Sequence, residues 1–280
     1  MSSAVVTLAP RPLENARKAG AIFLRDARLA ISYPMSFWLG WVSIAGQVLA
    51  FYFVSKLIGP SKSFGFGGHA TSYFDYVIVN LAFVEFQSVA IQSFQRAIRS
   101  DQMLGTLEAV LATPTSLPLI VLSSGLWAFT LTALEVAVYL AVGALLGLDL
   151  TRTNLVTALT FLLLTVACMS PVGVLSAASI MTFKQLGPTN WVASGLAMLL
   201  GGVLFPVSKL PVYLQAVSWM LPITHALNGI RGAVGGASVA ALMPDAIWMI
   251  VCTILLMPIS LVAFATAVRR AKLDGTLGHY

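Results

Sequence analysis

Six apolar runs divide the chain, at 35–57, 72–98, 117–146, 155–183, 189–205 and 246–268. A helix needs about 17–25 apolar residues to cross the hydrocarbon of a bilayer, and every run reaches that length. With no water at that depth, each run must satisfy its own backbone polar groups, which leaves helices. The expected fold is therefore all-α, a polytopic membrane protein with six transmembrane helices in one domain covering 1–280. Composition agrees. The chain is 58% apolar and 9% charged, whereas a soluble domain carries about 25% charged residues. Its mean hydropathy is +0.90.

Residues 206–245 are apolar but broken, by Pro211, Pro222 and Pro244 and by glycines from Gly229 to Gly236. Pro211 and Pro222 each suit the first turn of a short helix. Two short re-entrant helices are expected here, because irregular backbone at membrane depth survives only under cover of protein or in a hydrated cavity. At the other end, residues 1–34 form a tail and a basic amphipathic helix. In that helix Leu13, Ala16, Gly20, Phe23, Leu24, Ala27 and Ile31 share one face, and Arg17, Lys18, Arg25 and Arg28 lie opposite. Such a helix rests among the headgroups of membrane lipids.

An even number of spans puts both termini on one side. That side carries eleven of the 16 Lys and Arg residues; Lys56, Lys62, Arg152, Lys209 and Arg231 fall on the other. The positive-inside bias makes the richer side cytosolic. It also accounts for the net charge of +6 without a nucleic-acid partner. The first apolar run is longer than a secretory signal and lacks a cleavage motif, so it is expected to remain as an anchor. Cys168 and Cys252 lie inside apolar runs, where neither a structural disulfide nor a metal site is expected.

Between the second and third runs, residues 99–116 change character. Met103, Leu104, Leu107, Val110 and Leu111 recur at helical spacing, while Asp101, Gln102 and Glu108 fall elsewhere on the turn. Ser100 or Asp101 can cap the start of this helix and Pro114 ends it. A short cytosolic helix of this kind is either a contact surface for a soluble partner or a plain interfacial connector.

The second run carries a polar stripe. At 100° per residue, Asn80, Gln87, Ser88, Gln92, Gln95 and Arg99 share one face, with Glu85 and Arg96 at its edges. This face either packs on another helix or lines a hydrated path. Glu85 and Glu135 are the acids deepest in the expected spans. They read as a proton relay or as paired acids holding helices together. Ala193-x-x-x-Ala197-x-x-x-Gly201 and Gly143-x-x-x-Gly147 offer small-residue faces for close helix approach. Enzymatic signatures are absent from the sequence: no G-x-x-x-x-G-K-[ST], no H-E-x-x-H, no G-x-S-x-G and no metal-spaced cluster. The chain is expected to bind no cofactor and to catalyse nothing by itself.

Two stretches, GTLEAVLATP (105–114) and GGVLFPVSKLPVYLQAVSWMLPITHALNGIR (201–231), resemble the membrane subunits of type-2 ATP-binding-cassette exporters. The resemblance is closest to the daunorubicin-resistance and nodulation-factor branch. It implies a permease of the bacterial plasma membrane that pairs with a second permease copy, like or unlike itself. It also implies two copies of a separate ATPase subunit, which hold the ATP and Mg. In such exporters the helix after the second span is a coupling helix, which maps here to Asp101, Leu104, Leu107, Glu108 and Leu111. The outer re-entrant segment maps to Phe205, Pro206, Pro211, Pro222, His225 and Arg231. The translocation path would draw on Asn80, Glu85, Gln87, Ser88, Gln92 and Gln95. The implied cargo is a lipophilic drug, lipid or glycolipid-like molecule, with polysaccharide export the alternative within the family. Two readings from other classes stay open: a proton-coupled transporter or channel using Glu85 and Glu135, and a membrane scaffold with no path.

Overall fold

The computed structural model describes residues 12–32, 34–59, 64–66, 69–103, 105, 119–120, 123, 125–183, 195 and 199–273. Pro34 opens the first long helix. Its missing N–H costs nothing at a helix start, so α1 (Pro12–Ile31) ends before it and α2 (Pro34–Ile58) begins on it. A short ribbon follows, in which β1 (Phe64–Phe66) pairs antiparallel with β2 (His69–Thr71), Phe64 opposite Thr71. Its sequence, IGPSKSFGFGGHAT over 58–71, is rich in Gly and Ser and reads as a loop, although Gly67-Gly68 is a dipeptide of the type that closes two-residue hairpins.

The centre of the fold is α3 (Tyr73–Met103). Ser72 caps it, its hydroxyl accepting from the Asp75 N–H while the Asp75 carboxylate accepts from the Ser72 N–H. Around it pack α2, α4 (Leu126–Leu145) and α5 (Leu155–Phe183), with α8 (Met243–Leu273) covering the far side of α5. The second-run helix is accordingly 72% buried over its most apolar window, against 11–17% for α2, α4 and α8. The helix that carries the polar stripe is the one most shielded from lipid. Glycine sets the closest approach: a Cβ on Gly173 of α5 would stand 2.5 Å from the Ala90 carbonyl oxygen of α3.

Five helices among the described residues are long and apolar enough to cross a membrane. Four of them correspond to the runs at 35–57, 72–98, 155–183 and 246–268, and the last extends at both ends to Met243 and Leu273. The third starts at Leu126 rather than near 117. Most of the expected span 189–205 lies outside the described residues, as do Ala193 and Ala197.

Gly147 corrects one expectation. It is not part of a small packing face but the residue just past α4, with φ +107. The Leu148 N–H reaches the Gly143 carbonyl at 2.9 Å and the Gly147 N–H reaches Ala144 at 3.1 Å, the glycine-terminated helix stop that needs a left-handed residue. Gly143 does pack closely, within 3.2 Å of Ile78 if it carried a Cβ.

The broken segment forms a 3-10 turn (Val207–Lys209), α6 (Val212–Met220) and α7 (Pro222–Val234). Pro211 stands immediately before α6 and Pro222 begins α7, as their lack of an N–H favours. The glycine cluster divides in function. Gly229 and Gly232 lie inside α7 as close-packing positions, and only Gly236, with φ +88, ends the helix. While α6 leaves Val212, Tyr213 and Met220 exposed, α7 is buried along nearly its whole length.

Candidate translocation and coupling sites

At one end of α3 a polar knot ties three segments together. Asn80 donates its amide to the Val203 carbonyl at 2.8 Å and accepts from Arg231 Nε at 2.9 Å. Tyr76 donates its hydroxyl to the Gly202 carbonyl at 2.7 Å, and the Arg231 guanidinium donates to the same oxygen. That guanidinium lies 4.7 Å from the Tyr76 ring centre, a cation–π distance. Gly202 makes this geometry accessible, because its φ of +78 turns the backbone sharply. Arg231, read from the sequence as one of the outer-side charges, is 8% exposed and forms no ion pair among the described residues. Its charge is held by carbonyl, amide and ring.

The rest of the stripe divides along α3. Gln87 and Gln95 are buried, whereas Glu85, Ser88 and Gln92 are half-buried. Gln95 accepts from the Ser176 hydroxyl of α5 at 3.3 Å, while the Gln87 side-chain oxygen is buried without a partner. Glu85 of α3 and Glu135 of α4 are close enough for their charges to interact, and Arg96 interacts with both. Tyr139, one turn beyond Glu135, donates its hydroxyl to Gln47 of α2. The structure therefore brings together the two deep acids, an arginine and a tyrosine, none of which are near neighbours in sequence except Glu135 and Tyr139. Among the described residues no three of His, Cys, Asp and Glu gather as a metal would require.

At the opposite end, α3 runs straight through Ser100 and Asp101 to Met103. Neither residue caps the start of a separate helix; both belong to the last turns of α3, and Gly105 follows with φ +67. Asp101 is 8% exposed, and its carboxylate accepts from Arg25 of α1 at 3.4 Å. Phe23 of α1 meets Trp127 of α4 edge-on at 5.6 Å. Arg25, which also bonds Asp26 at 2.8 Å, links α1 to the end of α3. Leu104, Leu107, Glu108 and Leu111 lie outside the described residues.

Of the outer segment, Phe205 and Pro206 are half-buried beside the Arg231 knot, Pro211 is exposed and Pro222 half-buried. His225 makes a pair the sequence reading missed. Its Nδ1 lies 2.6 Å from the Asp245 carboxylate and its Nε2 2.8 Å from the Trp219 carbonyl. Trp219 and Trp248 flank the ring at 5.7 and 5.6 Å. Twenty residues separate the partners, and an acid opening a long apolar helix reads locally as a first-turn charge. Burial alone would lower the His225 pKa, but the hydrogen bonds to Asp245 and Trp219 and the Asp245 charge outweigh it and raise it above 6.5. A neutral ring has one N–H for two acceptors, whereas the imidazolium supplies both. The stabilisation is thus full below the ordinary histidine value and disappears as pH rises through the raised folded value. Tryptophan fluorescence of the purified protein should titrate with a midpoint above 6.5 and be flat for His225→Gln; the same titration in the variant would remove the His225 assignment.

A family model described as ABC-2 type transporter matches residues 20–234, from within α1 to the end of α7. A comparison with curated proteins finds no match.

Proposed function

The chain belongs to the ABC-2 type transporter family, and from that premise we propose that it is the permease of an ATP-driven exporter of lipophilic drugs or lipid-like molecules. The family places it among multi-pass membrane transport components that are not themselves catalytic and typically work with an ATPase subunit. The reading taken here is a complex of two such chains, like or unlike, with two ATPase copies, in the bacterial plasma membrane with both termini cytosolic. The sixth span falls in the run that begins at 189 and ends before the turn at Gly202, and α6 and α7 form the re-entrant outer segment. The stripe from Asn80 to Gln95 borders the path.

The observation that most supports this mechanism is the continuity of α3. One helix reaches from the Arg231–Asn80–Gly202 knot to Asp101, next to the segment assigned to coupling. A displacement of several ångströms imposed at 101–113 by nucleotide closure would be carried along a rigid rod to the outer segment. Asp101 takes part through Arg25, which adds α1 to the moving body.

Leu107→Asp is the test. It places a charge in the apolar face (Leu104, Leu107, Leu111) proposed to dock in the ATPase, and desolvating it should weaken binding about ten- to a hundredfold. Insertion should be normal, since the apolar spans are untouched. Pull-down of the ATPase in detergent measures it; undiminished binding with normal cargo-stimulated hydrolysis would remove the coupling assignment. The proximity of Glu85 and Glu135 favours the proton-coupled alternative. That reading requires flux driven by a pH gradient in the purified chain without any ATPase.

A further inference from the structure

The helix α6 is a rod of nine residues between two extended joints. Leu210 and Pro211 precede it at φ/ψ of −74/154 and −54/145, and Leu221 follows it at −79/127. Ser218 is its one buried residue, so little packing holds it in place. At its start the Gln215 amide donates to the Leu210 carbonyl at 2.7 Å. Among the described residues, a single side-chain hydrogen bond joins α6 to α7 or α8, between His225 Nε2 and the Trp219 carbonyl at 2.8 Å. The other nitrogen of the same ring holds Asp245 of α8 at 2.6 Å. One imidazole thus fastens three helices at the corner where α6 meets α7.

We propose that α6 is a hinged flap, closed while the His225 ring carries both of its N–H protons and released when it loses one. The charged ring donates to Trp219 and to Asp245 at once, and the Trp219 and Trp248 rings lie within cation–π distance of it, at 5.7 and 5.6 Å. A neutral ring keeps one N–H. The carboxylate retains it, because a charge-assisted bond is stronger than one to a neutral carbonyl. A bare Nε2 then faces the Trp219 oxygen across 2.8 Å. Two lone pairs at that distance repel, so the corner opens about Leu221, an extended residue at a helix end that can absorb the change in φ and ψ. Asp245 is the charged group that acts on the ring. Of the elements packed around α7, α5, β1 and the 3-10 turn Val239–Leu242 carry no charged side chain. The flap itself offers Tyr213 and the turn before it Lys209, both at the end away from Trp219. From α3, Asp75 is engaged at its own helix start, and Tyr76 is held with Arg231 in the Asn80 knot. Burial disfavours the charged ring, but the bonds to Asp245 and Trp219 and the Asp245 charge raise its pKa above 6.5. The flap is therefore closed in acid and released as pH rises through that value. On the outer placement proposed above, the acidity that acts is external.

The test measures the distance between spin labels on Tyr213→Cys of α6 and Ile247→Cys of α8, both exposed positions. The full chain is used in phosphatidylcholine nanodiscs, with Cys168→Ala and Cys252→Ala so that no other thiol is labelled. Neither cargo nor ATPase is needed and both faces meet one pH, so the result is independent of the export reading and of sidedness. One distance is expected at about pH 5.5, and a second, differing by several ångströms, should dominate at about pH 8.5. The midpoint should lie above 6.5. His225→Gln should abolish the pH dependence. Asp245→Asn should keep the transition but move its midpoint down, because the carboxylate that favours the charged ring is gone; it decides alone if His225→Gln does not fold. A bond with only a structural role would let the substitutions alter the distance without any dependence on pH in the unsubstituted ring. A distance constant across this range, a transition that survives His225→Gln, or an unmoved midpoint in Asp245→Asn overturns the flap.

Discussion

Asn80→Leu is expected to destabilise the protein by about 2–5 kcal/mol, because it leaves a buried charged donor and a buried carbonyl each short of a hydrogen-bond partner at about 1–3 kcal/mol apiece. The change removes the acceptor for Arg231 Nε and the donor to the Val203 carbonyl in one step. Among the described residues Arg231 then keeps the Gly202 carbonyl and Tyr76, at 8% exposure. The converse change should be far milder. Arg231→Met keeps most of the stem and abolishes the charge, leaving the neutral Asn80 oxygen without this donor, at about 1–3 kcal/mol offset by the removed desolvation penalty. The double variant should therefore be more stable than Asn80→Leu alone, a coupling that additive effects would not produce. Unfolding of the three variants in mixed detergent micelles measures it. If Asn80→Leu is as mild as Arg231→Met, the guanidinium is not dependent on the amide and the knot is not a clamp.

That knot also shows what the sequence carried and what it did not. Four of the expected spans were legible because a hydrocarbon solvent imposes one rule on length and polarity, and α5 runs over the same 155–183 that the apolar run gave. The polar stripe was legible for the same reason: a helix with Asn80, Gln87 and Gln95 on one face cannot turn that face to lipid, and all three are buried. Its partners were not legible. Arg231 lies 151 residues from Asn80, and the charge-counting rule that orients spans treats any arginine between two spans as outer surface. Asp101 suffered the reverse error. Locally it looks like a helix cap; Arg25 of α1, 76 residues away, holds it inside the last turns of α3. Glycines misled in a third way. Period and composition cannot separate a glycine that ends a helix, such as Gly147 or Gly236, from one that admits a neighbour, such as Gly173, because the distinction rests on φ and on what lies across the gap.

Gly229 gives the sharpest form of that distinction. A Cβ at Gly229 would stand 1.9, 2.1 and 2.4 Å from three atoms of the Phe161 ring, and Phe161 is fully buried. Neither α7 nor α5 can yield cheaply, since α7 is held by the Arg231 knot and α5 by its glycine contact with α3. Overpacking usually costs about 1–3 kcal/mol; with three ring atoms inside contact distance, Gly229→Ala should reach or exceed the top of that range, and Gly229→Leu should prevent assembly of α7 on α5. Gly46 of α2 is the control, because nothing lies within 4 Å of its Cβ position. There Gly→Ala only removes backbone entropy from the unfolded chain and should stabilise by up to about 1 kcal/mol. The same substitution thus has opposite signs at two helical glycines. Shrinking the neighbour separates sterics from any other effect: Phe161→Leu costs stability alone, yet in the Gly229→Ala background it should recover part of the loss. Thermal unfolding in detergent reads these variants, and a Gly229→Ala variant as stable as Gly46→Ala would mean that α7 does not lie against Phe161.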